Sequence, residues 1–516
     1  MTNKKKLSQR LYEAIWPPQP KGQKRGYQAA RVNRLNANWT TYPTGANYEI
    51  RGGLAALRAR SRQAARDNGH IRNFLRLMCS NVIGPKGIQL QSRARLSGSK
   101  TLDVELNKKV EEAWFEWTHR EHCTISTKLD WRGVQKLALT QLLRDGEFLI
   151  EMIEGVGDFG LSLKIWDVNW LDETYNDTMP NGNRVIMSVE IDANERPVAF
   201  WLTTPSSEMN FTNRRERTRT RKPAESMIHG YLIEDDESQV RSVSWITPAL
   251  LDIKNFQGYT EGVVTSARVS ANTFGFVKQQ LADGEEWTGE ENEDGTQTLP
   301  MIDSSPLSVN LLNPGMEFQQ FDPKQPTQNH PAFSKTMQTS IGTDLSIPYF
   351  LLVGDWEAVN FSSSRGGLGE FHEMCKDIQD FISTLLCRRV YHVWARNAML
   401  AGRLSVTARQ LKEIRNATWR PRGWPYIDPT KDVAADVERL RNRLATPSEI
   451  LSERGVDYVD FLERWKSDRE MAASYAVNIE EIYSAQPGQP DNPPEPPPDQ
   501  PTRGYLNGHD TDEMLN

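Results

Sequence analysis

Cysteine is scarce in this chain and scattered. Cys79, Cys123, Cys375 and Cys387 are the only four in 516 residues, and no two stand as C-x-x-C. That spacing fits neither a disulfide-stapled secreted scaffold nor a paired-thiolate zinc site, so free thiols in a reducing compartment are expected. The opening MTNKKKLSQRLYEAIWPPQP is basic but has no continuous apolar segment and no small-residue cleavage site. It does not read as a secretory signal, and the chain is expected to be cytosolic when made. No apolar run is long enough to cross a bilayer. A P-loop is absent, since the glycine-rich SRGGLGE (364–370) lacks the lysine, and so is a G-x-S-x-G elbow. Net charge is only −6, which argues against one cationic nucleic-acid clamp throughout and leaves local contacts open. There is no internal repeat.

Hydrophobic residues at 38% and charged residues at 25% are enough for several folded domains. Residues 1–45 are polar and basic with scattered aromatics and read as an extended arm. The stretch 52–84 predicts helices, with a weak stripe at Leu54, Leu57 and Ala64 and a stronger one at Ile71, Leu75, Met78 and Val82, stopped by Gly84-Pro85. A helix over 101–120 follows, then a helix and a strand in DWRGVQKLALTQLLRDGEFLIEMI (130–153). LSLKIWDV, RVIMSVEID and PVAFWLT read as strands, with a turn in NDTMPNGN. The fold class is therefore α+β and helix-rich.

Near 247 the texture changes. Thr247 and Pro248 suit a helix start, and a long helix is expected over 247–281 despite Gly258, Gly262 and Gly275. An acidic segment, ADGEEWTGEENEDG (282–295), reads as a loop or small subdomain. Phe333, Met337, Ile341 and Leu345 mark a helix over 329–345, ended by Pro348. Leu368, Phe371, Cys375, Ile378, Ile382 and Leu385 mark another, capped by a serine near 362–364. Further on, Asp428 with Pro429 and Thr446 with Glu449 open helices, Gly455 closes one, and the chain from about 484 is a Pro-rich disordered tail.

Several segments invite chemistry. GVGDFG (155–160) matches G-x-G-x-x-G but runs into a strand, so a hairpin turn is the better reading than a dinucleotide site. His119, His122 and Cys123, and separately His372 and Cys375, lack a recognised metal spacing, so neither metal nor cofactor is expected. Asp167, Asp172 and Glu173 stand beside tryptophans, as carboxylates of a carbohydrate hydrolase would; exposed acids at a strand end are the plainer account. The run 213–222 carries six basic residues and one acid, which suits nucleic acid, an acidic partner or a solvated loop.

Taken together, NVIGPKGIQLQ, RDGEFLIEMI, IPYFLLVGDWEAVNFSSSRGGLGEF, GWPYIDPTKDVAADVERL and ATPSEILSERGVDYVDFLE, in this order, resemble the portal proteins of lambda-type tailed bacteriophages over about residues 27–470. Phe361 stands where that family's loop favours tyrosine. The resemblance implies a ring, commonly of twelve copies, at one capsid vertex, a channel for DNA packaging and ejection with no catalysis of its own. It implies an arm (1–45), a wing (46–246), a stem helix (247–282), a clip (283–325), a second stem helix (326–347), a tunnel loop (348–364), a long wing helix (365–400), a helical crown (401–483) and a tail (484–516). An N-terminal segment of about 20 residues is the candidate for removal by a capsid protease. Expected partners are double-stranded DNA without sequence preference, the terminase large subunit, a head–tail connector and the major capsid or scaffold protein, in the virion and not in a membrane. Gly354, Asp355, Trp356, Asn360, Phe361, Ser362, Ser363, Ser364 and Arg365 would line the channel, and Glu285, Glu286, Trp287, Glu290 and Glu291 would meet the motor. Trp356 and Phe361 either touch passing DNA or staple the loop to neighbouring helices.

Overall fold

The computed structural model describes residues 43–96, 102–204, 218–272, 275–279, 290–291, 297–298, 316–320, 330–357, 361–424, 429–454, 456 and 458–474. The chain divides into two compact units, one up to Arg422 and one from Gly423. Most of the arm and the whole Pro-rich tail lie outside the described residues.

The first unit opens with α1 (Ala46–Asp67), which buries Ala46, Ile50, Leu54, Arg58 and Ser61. This corrects the expected stripe. Leu57 and Ala64 are only half-buried, and the inward row contains an arginine and a serine that a hydrophobic count passes over. Asn68 caps α2 (Gly69–Met78) by accepting the His70 and Ile71 N–H groups. Here Phe74 takes the buried place expected for Leu75. The helix continues as a π-turn, Cys79–Ile83, and stops at Gly84. Then come β1 (Gln89–Ser92), α3 (Val104–Trp117) and the single turn α4 (Arg120–Cys123). Asp130 caps α5 (Trp131–Asp145), and Gly146, at φ 89°, ends it. A Cβ on Gly146 would lie 2.5 Å from the Val243 carbonyl, so both backbone angle and space demand glycine there.

β2 (Glu147–Glu154) and β3 (Leu161–Trp166) form an antiparallel hairpin. GVGDFG is its turn, with the Gly155 N–H donating to the Gly160 carbonyl at 2.8 Å and a strand following, as expected. A five-stranded antiparallel sheet runs in sequence order through β4 (Asp177–Thr178), β5 (Arg184–Ile186), β6 (Val189–Ile191), β7 (Pro197–Thr204) and β8 (Thr218–Pro223). RVIMSVEID is thus two strands, not one. Met187 and Ser188, at φ 47° and 68°, turn the chain between Ile186 and Val189. Each left-handed non-glycine costs roughly 1–2 kcal/mol. Hydrogen bonds oppose that cost: Met187 N–H to Asn176 Oδ1 at 3.1 Å and Ser188 Oγ to the Asp172 carbonyl at 2.9 Å. β9 (Met227–Tyr231) joins the free edge of β2, making the sheet β3-β2-β9.

α6 (Ala249–Asn272) ends earlier than the expected 281. Gly275 falls not in the helix but in β10 (Gly275–Gln279). Thr247 does not cap it: its Oγ1 is buried without a hydrogen-bond partner, and a turn precedes the helix. β11 (Glu290–Glu291) pairs with β12 (Gln297–Thr298), and β10 pairs with β13 (Met316–Gln320). α7 (His330–Asp344) lies close to its expected span, and α8 (Tyr349–Val353) follows. α9 (Phe361–Ile382) passes through a π-turn, Ser383–Cys387, into α10 (Arg388–Leu400). That extra residue moves the buried face by one position. Leu386 is buried where the stripe predicted Leu385. α11 (Ala408–Ile414) and β14 (Ala417–Arg420) complete the first unit, with β14 paired to β1. Residues 401–422, expected with the C-terminal crown, therefore belong to the first unit, held there by strand pairing.

The second unit contains α12 (Pro429–Arg441), α13 (Pro447–Glu453) and α14 (Tyr458–Ser474). Its capping box is the expected one, Thr446 with Glu449. Asp428 and Gly455 lie outside the described residues.

Two devices hold the first unit. One is aromatic. Trp114 packs against Trp117, Trp131, Tyr391, Trp394 and Trp419, with centroids 4.8–6.0 Å apart and mostly edge-to-face, which ties α3, α5, α10 and β14 together. The other is ionic. Glu147, at the start of β2, is fully buried and paired with Arg58 of α1 and Arg241, both also buried. The Nε2 of buried His229 lies 2.7 Å from the same carboxylate. Arg241 also donates to the carbonyls of Leu171 and Met187 at 3.1 Å, so it holds the strained hairpin turn. Beside this group, Arg62 bridges Asp145 and Asp167.

Burial opposes charge on Glu147, yet Arg241, the His229 hydrogen bond and Arg58 outweigh it and hold the carboxyl far below its usual range. Burial pushes His229 below its ordinary value despite that neighbour, so the ring is neutral and donates Nε2–H. Both groups bind fewer protons folded than unfolded, so stability falls with acidification, first below pH 6.5 and again below 4.5. Thermal melts at pH 7.5 and 5.5 are expected to show a lower Tm at 5.5, and H229N to flatten that difference. E147Q leaves two buried guanidinium groups uncompensated and is expected to cost roughly 3–5 kcal/mol in denaturant unfolding. A pH-independent Tm would contradict this account.

Candidate functional site

The expected tunnel loop sits where a helical hairpin leaves the core. α6 and α7 pair through Tyr259, whose ring is 4.6 Å from Phe333 and whose hydroxyl is 3.0 Å from His330 Nδ1. Ser340 Oγ donates to Asp252 Oδ2 at 2.8 Å. Ile341 and Leu345 of α7 are buried, whereas Phe333, two turns earlier, is 44% exposed. α6 buries Ala249 and Ile253 near its start and leaves Leu251 72% and Val264 42% exposed. The hairpin thus projects from the core with apolar side chains uncovered in the single chain.

From the buried end of α7, Pro348 starts the short helix α8, and Gly354 at φ 80° ends it, its N–H donating to the Phe350 carbonyl. Asn73 of α2 donates to the Leu351 and Leu352 carbonyls at 3.2 and 2.9 Å, satisfying two of the carbonyls a helix end leaves open. Asp355 is the tether on the other side. Its Oδ2 accepts from the Tyr349 hydroxyl at 3.2 Å and lies 3.7 Å from Lys335 Nζ of α7, and its Oδ1 accepts the Glu357 N–H at 3.3 Å. Lys335 also stands over the Tyr349 ring at 5.3 Å. Burial, then the hydrogen bond to Asp355, raises the Tyr349 pKa.

Trp356 leans on Phe350, with centroids 5.5 Å apart, yet remains 59% exposed. It is thus stapled on one side and presented on the other. The loop is shorter than the 348–364 expected. Residues 349–353 are helical, and α9 begins at Phe361, so Phe361, Ser362, Ser363, Ser364 and Arg365 lie on its first turns. The three serines do not cap that helix from outside. They occupy the turn whose N–H groups have no partner within the helix and whose composition is therefore permissive. Asn360 lies outside the described residues, as do Glu285, Glu286 and Trp287 of the expected clip. Glu290 and Glu291 form β11. Lys335, Tyr349 and Asn73, which hold the loop, were not legible as site residues, because each acts across a tertiary contact that spacing does not encode.

The other candidates are taken up structurally. Asp167 and Asp172 are both held below their ordinary values, burial being overcome by hydrogen bonds from Arg62 and Asn169, and from Thr174 and Arg219. A general acid needs the opposite shift. Of the basic run, 213–217 lies outside the described residues. Arg219, Arg221 and Lys222 on β8 pair with Asp172, Glu190 and Glu151. His119 bonds the Glu116 carbonyl, His122 packs on Phe159, and burial pushes up the thiols of Cys123 and Cys375, the latter to about 12. Among the described residues no cluster of His, Cys, Asp and Glu could hold a metal. No described helix is long and apolar enough to cross a membrane.

Comparison with known proteins bears on the same stretch. Residues 32–379 match the family described as phage portal protein, lambda family. The chain is 30% identical over 453 residues to a probable portal protein of Halomonas phage phiHAP-1, covering 86% of each chain. Among solved structures, a chain in the neck of an empty gene transfer agent particle is similar at 11% identity and a TM-score of 0.40, covering 81% of this chain and 97% of that one. A chain in the virion of a native gene transfer agent particle gives 12%, 0.42, 78% and 93%.

Lys335 and Asp355 are partly exposed, so K335A and D355N are expected to cost about 1 kcal/mol or less. Both are expected to speed amide exchange over Gly354–Glu357 severalfold and to shift Trp356 fluorescence. Unchanged exchange would show that the tether does not hold the loop.

Proposed function

The chain belongs to the lambda family of phage portal proteins, and from that membership we propose that it closes into a ring at one capsid vertex and forms the channel through which DNA enters and leaves. Proteins of this family are structural, not enzymes. The observation that carries the ring reading is the α6–α7 hairpin, which exposes Leu251, Val264 and Phe333 in the isolated chain. A ring needs a heterologous contact that closes on itself, and an uncovered helical hairpin supplies a surface for it.

In this reading residues 46–246 are the wing, 247–282 and 326–347 the stem, 283–325 the clip, 348–364 the tunnel region and 365–400 the long wing helix. The crown narrows to 423–483. Residues 1–45 are the arm, with about the first 20 the candidate for protease removal, and 484–516 form the tail. Gly354, Asp355 and Trp356, together with the start of α9, face the channel. An exposed indole beside a carboxylate makes loose contact with a DNA backbone without the cationic grip that would resist sliding. The acidic clip, with Glu290 and Glu291, docks the terminase large subunit and later the head–tail connector. The particle, not a membrane, is its place, with capsid or scaffold protein around the wing.

Size-exclusion chromatography with light scattering on the purified chain is expected to give a particle of about twelve copies with a central hole in negative stain. A Cβ added at Gly258 or Gly262 meets nothing within 4 Å in the single chain. G258L/G262L is therefore expected to leave Tm within a few degrees and to reduce the ring fraction at least tenfold. A wild-type chain that stays monomeric with scaffold and capsid protein present would overturn the ring reading.

A further inference from the structure

The first unit carries two exposed helix stripes of opposite charge. On α9, Glu370, Glu373, Asp377 and Asp380 are all exposed and recur at intervals of three, four and three, on one side of the helix. Behind them on the same helix, Phe371, Cys375, Ile378 and Ile382 are buried. Lys376 at the stripe's edge pairs with Glu373 at 2.6 Å; the other three acids form no ion pair among the described residues. On α2, Arg72 and Arg76 stand one turn apart and exposed, with exposed Arg66 just before them at the end of α1. Ile71, Phe74 and Met78 are buried behind them. None of these three arginines forms an ion pair among the described residues.

The two stripes lie on different helices of the first unit. The helix that begins as α2 meets α9 at its π-turn, where Gln379 Nε2 donates to the Asn81 and Val82 carbonyls at 3.3 and 3.0 Å. Both helices bury one row, Ile71, Phe74 and Met78 on α2 and Phe371, Cys375, Ile378 and Ile382 on α9, and leave their charged row exposed. No ion pair joins the two stripes among the described residues. A chain whose overall charge is close to balanced carries them as separated opposites.

We propose that these stripes are the two halves of one contact between copies of this chain: Arg66, Arg72 and Arg76 of one copy lie against Glu370, Asp377 and Asp380 of the next. The inference rests on the ring reading and adds which surfaces meet. A head-to-tail contact requires two different, complementary faces at separate places on one subunit, and charge complementarity fixes register and excludes wrong partners. The contact is exposed to solvent, so it weakens as salt screens it.

The test uses the full chain and charge reversal on each side. R72E/R76E and D377R/D380R are each expected to keep the wild-type melting temperature within a few degrees, since the reversed side chains are exposed, and each to lower the ring fraction at least tenfold in native mass spectrometry. An equal mixture of the two variants is expected to restore rings, because each acidic face then meets a basic one in an alternating ring. The quadruple variant is expected to restore them in one chain. Rings formed by either double variant alone at the wild-type level, or no rescue in the mixture, would overturn the contact and leave the ring reading standing. An R72E/R76E ring that assembles normally but loses salt-dependent DNA binding would assign the arginines to DNA instead. A wild-type chain without rings would remove the ring reading itself.

Discussion

The first unit depends on one buried carboxylate. Glu147 draws Arg58 from α1, Arg241 from the segment after the sheets, and His229 from β9 to a single point. A hydrophobic residue of similar size could fill the space, but it could not specify which helix, strand and loop meet there. Arg58 fixes the rotation of α1 by occupying the fourth inward position. Arg241 reaches three backbone carbonyls beyond its pairing, including that of Met187 in the tightest turn of the second sheet. Removing Glu147 leaves two guanidinium groups uncompensated in the interior, where charge is costly, so the cluster acts more as a device of specificity than as a net source of stability. The aromatic group around Trp114 does the complementary work at the far end of α5, where orientation matters less and contact area more.

The sequence carried the fold well wherever one residue type did one job. The stop at Gly84, the hairpin turn at 155–160 and the capping box at Thr446 were all legible, because each is a local backbone requirement. It misled wherever a tertiary partner overrode local preference. Arg58 and Ser61 sit in a core row because charge and hydrogen bonding are satisfied there. Met187 and Ser188 turn the chain without glycine because distant groups hold them. The π-turn in the long helix displaced the stripe at Leu385, since an inserted residue is invisible to a count of threes and fours.

The candidate site was legible in part for the same reason. Gly354, Asp355 and Trp356 announce a loop by composition, and the structure puts them in one. What positions them, Lys335, Tyr349 and Asn73, is spread over three helices and has no pattern in the chain. Conversely, the most suggestive motifs proved to be scaffolding. Asp167 meets Arg62, and Asp172 meets Arg219 of the described half of the basic run, so the same pattern that advertises catalysis or nucleic-acid contact here closes a sheet.

The uninterrupted run from Phe361 to Leu400 has a mechanical meaning. Forty residues of helix at 1.5 Å each make a strut of about 60 Å. One end begins beside the loop, and the other is clamped in the tryptophan cluster through Tyr391 and Trp394. The π-turn between them shifts the buried face of the second half by one position without breaking the helix. A displacement at the loop end is therefore carried along one continuous helix into the aromatic cluster around Trp114.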